Sequence, residues 1–331
     1  MIDHQQKIFF GAPGTGKSHH VNSYLKNIDS NKIFRVTIHP EYTYTDFVGQ
    51  ILPEQSEGNV KFEFKAGIFT RALKEAYSDK SKNVYLILEE LSRGNITAIL
   101  GDIFQLLDRD KHFESKYPIR NADIANQIME LTNDEVILPS NLNIIGTVNT
   151  NDQSVFPMDT AFKRRFDWSY VSSYPKVDEN NKTLTKVNNP KLNIIDLKGE
   201  KITTNWLAFY TSLNQFITDK EKGLGKNEDK QIGQFFITFE ENTIVNSHSD
   251  DFSLRKEAEH KIENKIMNKL LLYLWQDVEG KSIFNTAISL FNSSINNYDS
   301  LYFGYQSEPV FSETFINEFL IPSKDKYQYN N

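Results

Sequence analysis

Residues 11–20 read GAPGTGKSHH. Gly11, four residues, then Gly16, Lys17 and Ser18 match the pattern G-x-x-x-x-G-K-[ST] at every fixed position. Such glycines let successive backbone N–H groups turn inward around phosphate. Lys17 then places its charge on the β- and γ-phosphates, and the Ser18 hydroxyl is a ligand for Mg²⁺. The candidate nucleotide-binding set is Gly11, Ala12, Pro13, Gly14, Thr15, Gly16, Lys17, Ser18 and His19. A plain glycine-rich turn would share the composition, so context decides. The apolar run KIFF (7–10) precedes the loop as a strand, and KSHHVNSYLKNI (17–28) follows as a helix. That is the setting in which this loop holds a nucleoside triphosphate.

Two further strand ends supply partners. NVYLIL (83–88) is a continuous apolar run followed by Glu89 and Glu90. Paired acids there suit Mg²⁺, reached through water by the first, and polarisation of the attacking water by the second. Two glutamates also favour a helix start; beside a phosphate loop the catalytic reading is preferred. LNIIGTVN (142–149) is another buried strand, and it ends in Asn149, placed to sit beside a γ-phosphate. Asp152 follows, and then the basic cluster Lys163, Arg164 and Arg165. An arginine reaching a neighbouring subunit's γ-phosphate would stabilise charge in the transition state.

Around these points strands alternate with helices, which predicts a parallel α/β sheet. Further strands are expected at 33–38 and in a hairpin over 51–65, where VKFEFK (60–65) alternates with period two. Helices are expected at 68–77 and 96–107, and residues 109–139 read as irregular and polar with room for another hairpin. After about 175 the composition shifts. The stretch 176–200 reads as a polar, Asn-rich insert, and beyond it the pattern turns helical at 206–217 and 255–275. In the second of these Ile262, Ile266, Leu270 and Leu274 recur every four residues. The expected division is an α/β nucleotide-binding domain over 1–175 and a mainly helical domain over 176–331.

Composition bounds the rest. The 331 residues include no cysteine, which excludes disulfides and cysteine zinc sites and fits a cytoplasmic protein. The longest apolar runs are far too short to cross a bilayer, and the N-terminus lacks signal-peptide character. A net charge of −7 argues against a surface that grips nucleic acid all over, while a local patch, a pore or a partner stays open.

The order of these motifs resembles an AAA+ ATPase module, and more closely the McrB family of modification-dependent restriction systems. EELSRGN (89–95) is similar to the family's D-E-I-N-R-[AG]-N, and VNTNDQS (148–154) to its M-N-T-A-D-R-S loop. AFKRRFD (161–167), HPEYTYTDFVGQ (39–50) and AGIF (66–69) also match its landmarks, and the hairpin lies where this branch carries an insert. The likeness is strong over about 6–175 and weaker to about 275. It implies an AAA+ P-loop core with a C-terminal helical lid. It assigns Lys17 and Ser18 to phosphate and Mg²⁺, Glu89 to the Mg²⁺ side, Glu90 to the catalytic acid, Asn149 to sensor 1 and Asp152 to water positioning. Arg164 and Arg165 match the arginine-finger pair that acts across a subunit interface, where Arg93 would also lie. It further implies GTP in preference to ATP, a homo-oligomeric ring (a hexamer), a McrC-like nuclease partner and DNA translocation through the assembly, with no membrane role.

Departures accompany the resemblance. Glu89 replaces the usual Asp, Asn151 and Gln153 replace the Ala and Arg of the signature loop, and Gln231 stands where a basic residue would precede Ile-Gly, with Lys230 adjacent. Relatives typically carry a DNA-recognition domain ahead of the motor; with the loop at residue 11 the expectation is either that this chain is a short form or fragment, or that recognition resides in another protein. Competing readings are a MoxR-like ATP-driven protein remodeller, a slow nucleotide switch, and a nuclease built on Glu63-Phe64-Lys65 or Glu279-Gly280-Lys281. The last reads as ordinary surface pairs, so the chain is expected not to be a nuclease itself. Lys61 and Lys65 are the candidates for DNA contact on the hairpin.

Overall fold

The computed structural model describes residues 4–56, 59–149, 156–176, 188–279 and 288–327. By their contacts they form two compact units. The first holds the residues up to Gly11 and Lys17–Val171; the second holds Ala12–Gly16 and the residues from Ser172 onward.

The first unit is built on β1 (Gln6–Gly11), β2 (Ile33–Thr37), the hairpin β3 (Gly49–Ser56) and β4 (Asn59–Ala66), β5 (Val84–Glu89), the short pair β6 (Ile119–Arg120) and β7 (Glu135–Val136), β8 (Leu142–Asn149) and β9 (Asp167–Tyr170). Five of these make one sheet in the order β2-β5-β8-β1-β9, with every pairing parallel. The expected α/β fold is therefore present. Alternation along the strands sorts side chains to two faces. Val84, Leu86 and Leu88 join one core with Ile8, Ile144 and the helix Ile68–Ser78, through Phe69, Ala72, Leu73 and Ala76. Tyr85 and Ile87 join the other with Phe9, Ile145, and Val21 and Leu25 of the helix Lys17–Leu25. A strand buried on both faces is mostly apolar, which is why β5 reads as an unbroken run; in β8 the buried Asn143 is satisfied by donating to the Val84 and Asn141 carbonyls.

The helix expected over 96–107 is two helices, Ile96–Leu100 and Ile103–Leu106. Gly101 between them has φ +51, a left-handed conformation that ends the first helix. Ile99, Ile103, Leu106 and Leu107 are nevertheless all in one core, so the apolar pattern was sound although the backbone breaks. The edge strand β9 went unpredicted; its four residues are partly or fully exposed and carry no buried run.

The second unit packs around the helix Trp206–Thr218, of whose 13 residues 10 are buried. A helix apolar nearly all round belongs inside a core. Phe209 and Phe216 meet Phe311, Phe315 and Phe319 there. The insert expected over 176–200 contains, at Lys191–Ile195, the strand β10, which pairs antiparallel with β11 (Lys201–Asn205). Leu192 and Ile194 face the core, while Asp196 accepts the Lys198 and Glu200 amides in the turn. Polar neighbours masked that two-residue apolar period. The helix Phe252–Lys265 continues to Glu279 through two π-type stretches. A strict four-residue repeat drifts by about 40° per step around an α-helix. The wider π turns reduce that drift, and Ile262, Ile266, Leu270 and Leu274 are all buried.

Candidate active site

The phosphate loop connects the C-terminal end of β1 to the helix Lys17–Leu25, the place where open α/β sheets bind ligands. Gly14 has φ +77 and Gly16 φ +88, values that favour glycine. The Thr15 hydroxyl donates to the Ala12 carbonyl at 3.0 Å. Lys17 is buried, and its ammonium donates to the Gly11 carbonyl at 3.0 Å, so the charge lies folded against the loop. Ser18 and His19 are exposed at the helix start.

Parallel register brings the other strand ends alongside. Asn149 is the register partner of Gly11, the first residue of the loop. Glu90 follows β5 in a left-handed conformation with φ 58. For a side chain other than glycine that is a strained position, and its surroundings hold it. The Glu90 amide donates to the Thr147 hydroxyl at 3.2 Å. Its two carboxylate oxygens accept from Asn149 Nδ2 at 2.9 and 2.8 Å, and Arg93 Nε lies 3.3 Å from Oε2. The expected acid and the expected sensor are thus in direct contact. Glu89 diverges at the strand end and pairs with Arg35 at 3.2 Å; Arg35 also donates to Asn22 at 2.7 Å.

The two adjacent arginines have different surroundings. The helix Thr160–Lys163 is capped by Asp159, whose carboxylate accepts the Phe162 amide at 2.6 Å, and the chain turns out of it at Arg164. Arg164 is exposed. The Arg165 side chain is only 9% exposed; it pairs with Asp108 at 2.7 Å, donates to the Ala161 carbonyl at 2.9 Å and lies 4.1 Å from the Phe104 ring centre. Asp152, with Asn151 and Gln153, lies outside the described residues.

Mg²⁺ and nucleotide fit the donor set present. Mg²⁺ takes hard oxygen ligands, keeps several waters and uses few protein groups. The Ser18 hydroxyl and the Glu89 carboxylate, which sequence reasoning assigned to the metal, are donors of that type. Among the described residues no group of three or more His, Asp or Glu side chains is gathered as a metal site of its own.

Sequence reading missed Arg35 and Thr147, which fix Glu89 and Glu90; an arginine inside the strand IFRVT was the available signal for the first. Gln231 accepts the Ser173 hydroxyl at 3.0 Å. Lys65 forms exposed ion pairs with Glu54 across the β3–β4 hairpin and with Glu63 on its own strand. Gly280 and Lys281 of the other nuclease candidate lie outside the described residues. No described helix is long and apolar enough to cross a membrane.

Comparison with known proteins places these features. The family described as the AAA domain of the dynein-related subfamily matches residues 7–166. The "Type II restriction enzyme BsuMI component YdiS" of Bacillus subtilis (strain 168) is 33% identical over 325 residues, covering 89% of this chain and 86% of that protein. The "Type IV methyl-directed restriction enzyme EcoKMcrB subunit" of Escherichia coli (strain K12) is 29% identical over 175 residues, covering 52% of this chain and 36% of that protein. The alignment thus spans about a third of the second relative's length.

Proposed function

Since the chain belongs to the McrB family of AAA+ proteins, we propose that it is the GTP-hydrolysing ring motor of a restriction system. In this reading it is a cytoplasmic protein that assembles into a hexamer, engages a McrC-like nuclease subunit and drives DNA translocation. The observation that carries the hydrolytic part is the bidentate hold of Asn149 on Glu90, at a strand end in register with Gly11. The restriction role rests on likeness to two restriction-enzyme components. GTP rather than ATP rests on the family resemblance.

The chain's own groups act as follows. Lys17 leaves the Gly11 carbonyl and places its ammonium against the β- and γ-phosphates. Loop amides hold the remaining phosphate oxygens. Asn149 orients the Glu90 carboxylate while leaving lone pairs on both oxygens, and one of these accepts from the attacking water. Asp152 helps to position that water. Ser18 and, through water, Glu89 would hold Mg²⁺, which would supply positive charge against the phosphate oxygens. Arg164 from the neighbouring subunit offsets charge developing on the γ-phosphate, a contribution of about 10³–10⁵ in rate.

The test is hydrolysis of GTP by the chain alone, with duplex DNA, and with its McrC-like subunit. Stimulation by the subunit and by DNA is the expected result. A rate that rises with a protein substrate instead, and with ATP, would establish the MoxR-like remodeller and end the restriction reading.

A further inference from the structure

The Gly233–Phe236 segment has no helical or strand structure, yet its backbone is closely held within the second unit. The Ile232 amide donates to the Asn214 side chain at 2.9 Å, and Asn214 Nδ2 donates back to the Ile232 carbonyl at 2.7 Å. The Gln234 carbonyl accepts from the Trp206 indole at 2.8 Å and from Asn188 at 2.9 Å. Asn214 and Trp206 both belong to the buried helix Trp206–Thr218. Buried, satisfied hydrogen bonds of this kind fix a backbone rigidly.

This segment meets the phosphate loop residues that group with it. The Gly233 amide donates to the Pro13 carbonyl at 2.8 Å, and the Phe235 amide to the Gly14 carbonyl at 2.8 Å. The approach leaves no space for side chains. A Cβ on Gly233 would lie 2.4 Å from Gly14 O and from Thr15 N, and a Cβ on Gly14 2.3 Å from the Phe236 amide nitrogen. The Phe235 ring lies over Gly16, 3.5 Å from where a Cβ would stand.

In a trans peptide plane the C=O and the following N–H point in opposite directions. Holding the Pro13 and Gly14 carbonyls outward therefore aims the Gly14 and Thr15 N–H groups the other way, into the phosphate cradle. We infer that Gly233–Phe235 is a positioning element of the nucleotide site: it presets the loop amides without touching nucleotide, and nucleotide binding in turn tightens it. This rests on the phosphate-loop reading of Gly11–Ser18 and adds a second, distant glycine on which that loop depends.

The experiment titrates fluorescent GTP and GDP analogues against wild type, Lys17→Ala, Gly233→Ala and Gly304→Ala, with thermal melts of each. At Gly304 a Cβ meets nothing closer than 3.4 Å, so this variant is the control. Gly233→Ala is expected to weaken both nucleotides about tenfold or more, the loss of one hydrogen bond to a charged group, while remaining folded at the assay temperature. Gly304→Ala is expected to bind as wild type. Amide exchange on the wild type provides a readout that needs no variant. Protection at Gly233 and Phe235 should rise with nucleotide, by up to about 100-fold at 100 times Kd. Wild-type affinity in Gly233→Ala together with unchanged exchange at both amides would overturn the inference alone. Failure of the wild type to bind either nucleotide would remove the hydrolysis reading, and the inference with it.

Discussion

Replacing Arg164 and Arg165 one at a time should produce two unlike defects. Arg165→Ala removes a partly screened ion pair with Asp108, a bond to the Ala161 carbonyl and a stack on Phe104, all from a side chain 9% exposed. Asp108 is 32% exposed, so water compensates part of the loss. With about 1 kcal/mol for each of the three, the cost is about 3 kcal/mol. For a unit of this size that lowers Tm by about 6–12 °C. Arg164→Ala strips an exposed side chain and should change stability by no more than about 0.5 kcal/mol. Turnover should fall by about 10³–10⁵ if it is the finger. Calorimetry and phosphate release on the two variants check both halves. The reasoning is refuted if Arg164→Ala melts as early as Arg165→Ala, or if Arg165→Ala keeps the wild-type Tm. Normal turnover in both single variants and in the double variant would remove the trans-finger idea altogether.

Other outcomes follow from the same geometry. Asn149→Ala should free the Glu90 carboxylate, leaving nucleotide affinity near wild type while kcat drops by about 10–100-fold; an unchanged kcat would disconnect the pair from the chemistry. Lys17→Ala should weaken nucleotide binding itself, and equal affinity in a titration would sink the phosphate-loop assignment. Burial holds the His248 imidazole below its ordinary 6.5; a backbone bond to Asn189 opposes this, and Lys191 adds to it. The folded chain therefore binds this proton less readily than the unfolded chain. Its stability rises with pH between the lowered value and 6.5, and falls on acidification through that window. His248→Gln should flatten the dependence of Tm on pH below about 6.5, and an unaltered slope would show that another group sets it.

Much of the candidate site was legible because its signals are local in the sequence. A loop of fixed spacing and two apolar strands ending in Glu89-Glu90 and Asn149 each declare themselves within about ten residues. Strand register, which no single segment encodes, brought Asn149 beside Gly11 and Glu90. The arginine pair shows the limit of motif reasoning. Two adjacent identical residues received one role, while burial and the ion pair with Asp108 give Arg165 a structural contact set of its own. Gly233–Phe235 received no role, because a backbone clamp 220 residues from its target leaves no side-chain signature. The β10–β11 hairpin was hidden for a different reason, its two core residues being outnumbered by Asn and Lys.

The most direct measurement is phosphate release from GTP and from ATP, in parallel, by wild type and by Glu90→Gln, with nucleotide affinity recorded for each. The account predicts hydrolysis by the wild type, faster with GTP, and retained affinity with almost no turnover in Glu90→Gln. Turnover by Glu90→Gln at the wild-type rate would contradict it, since the carboxylate held by Asn149 would then not be the group that activates water.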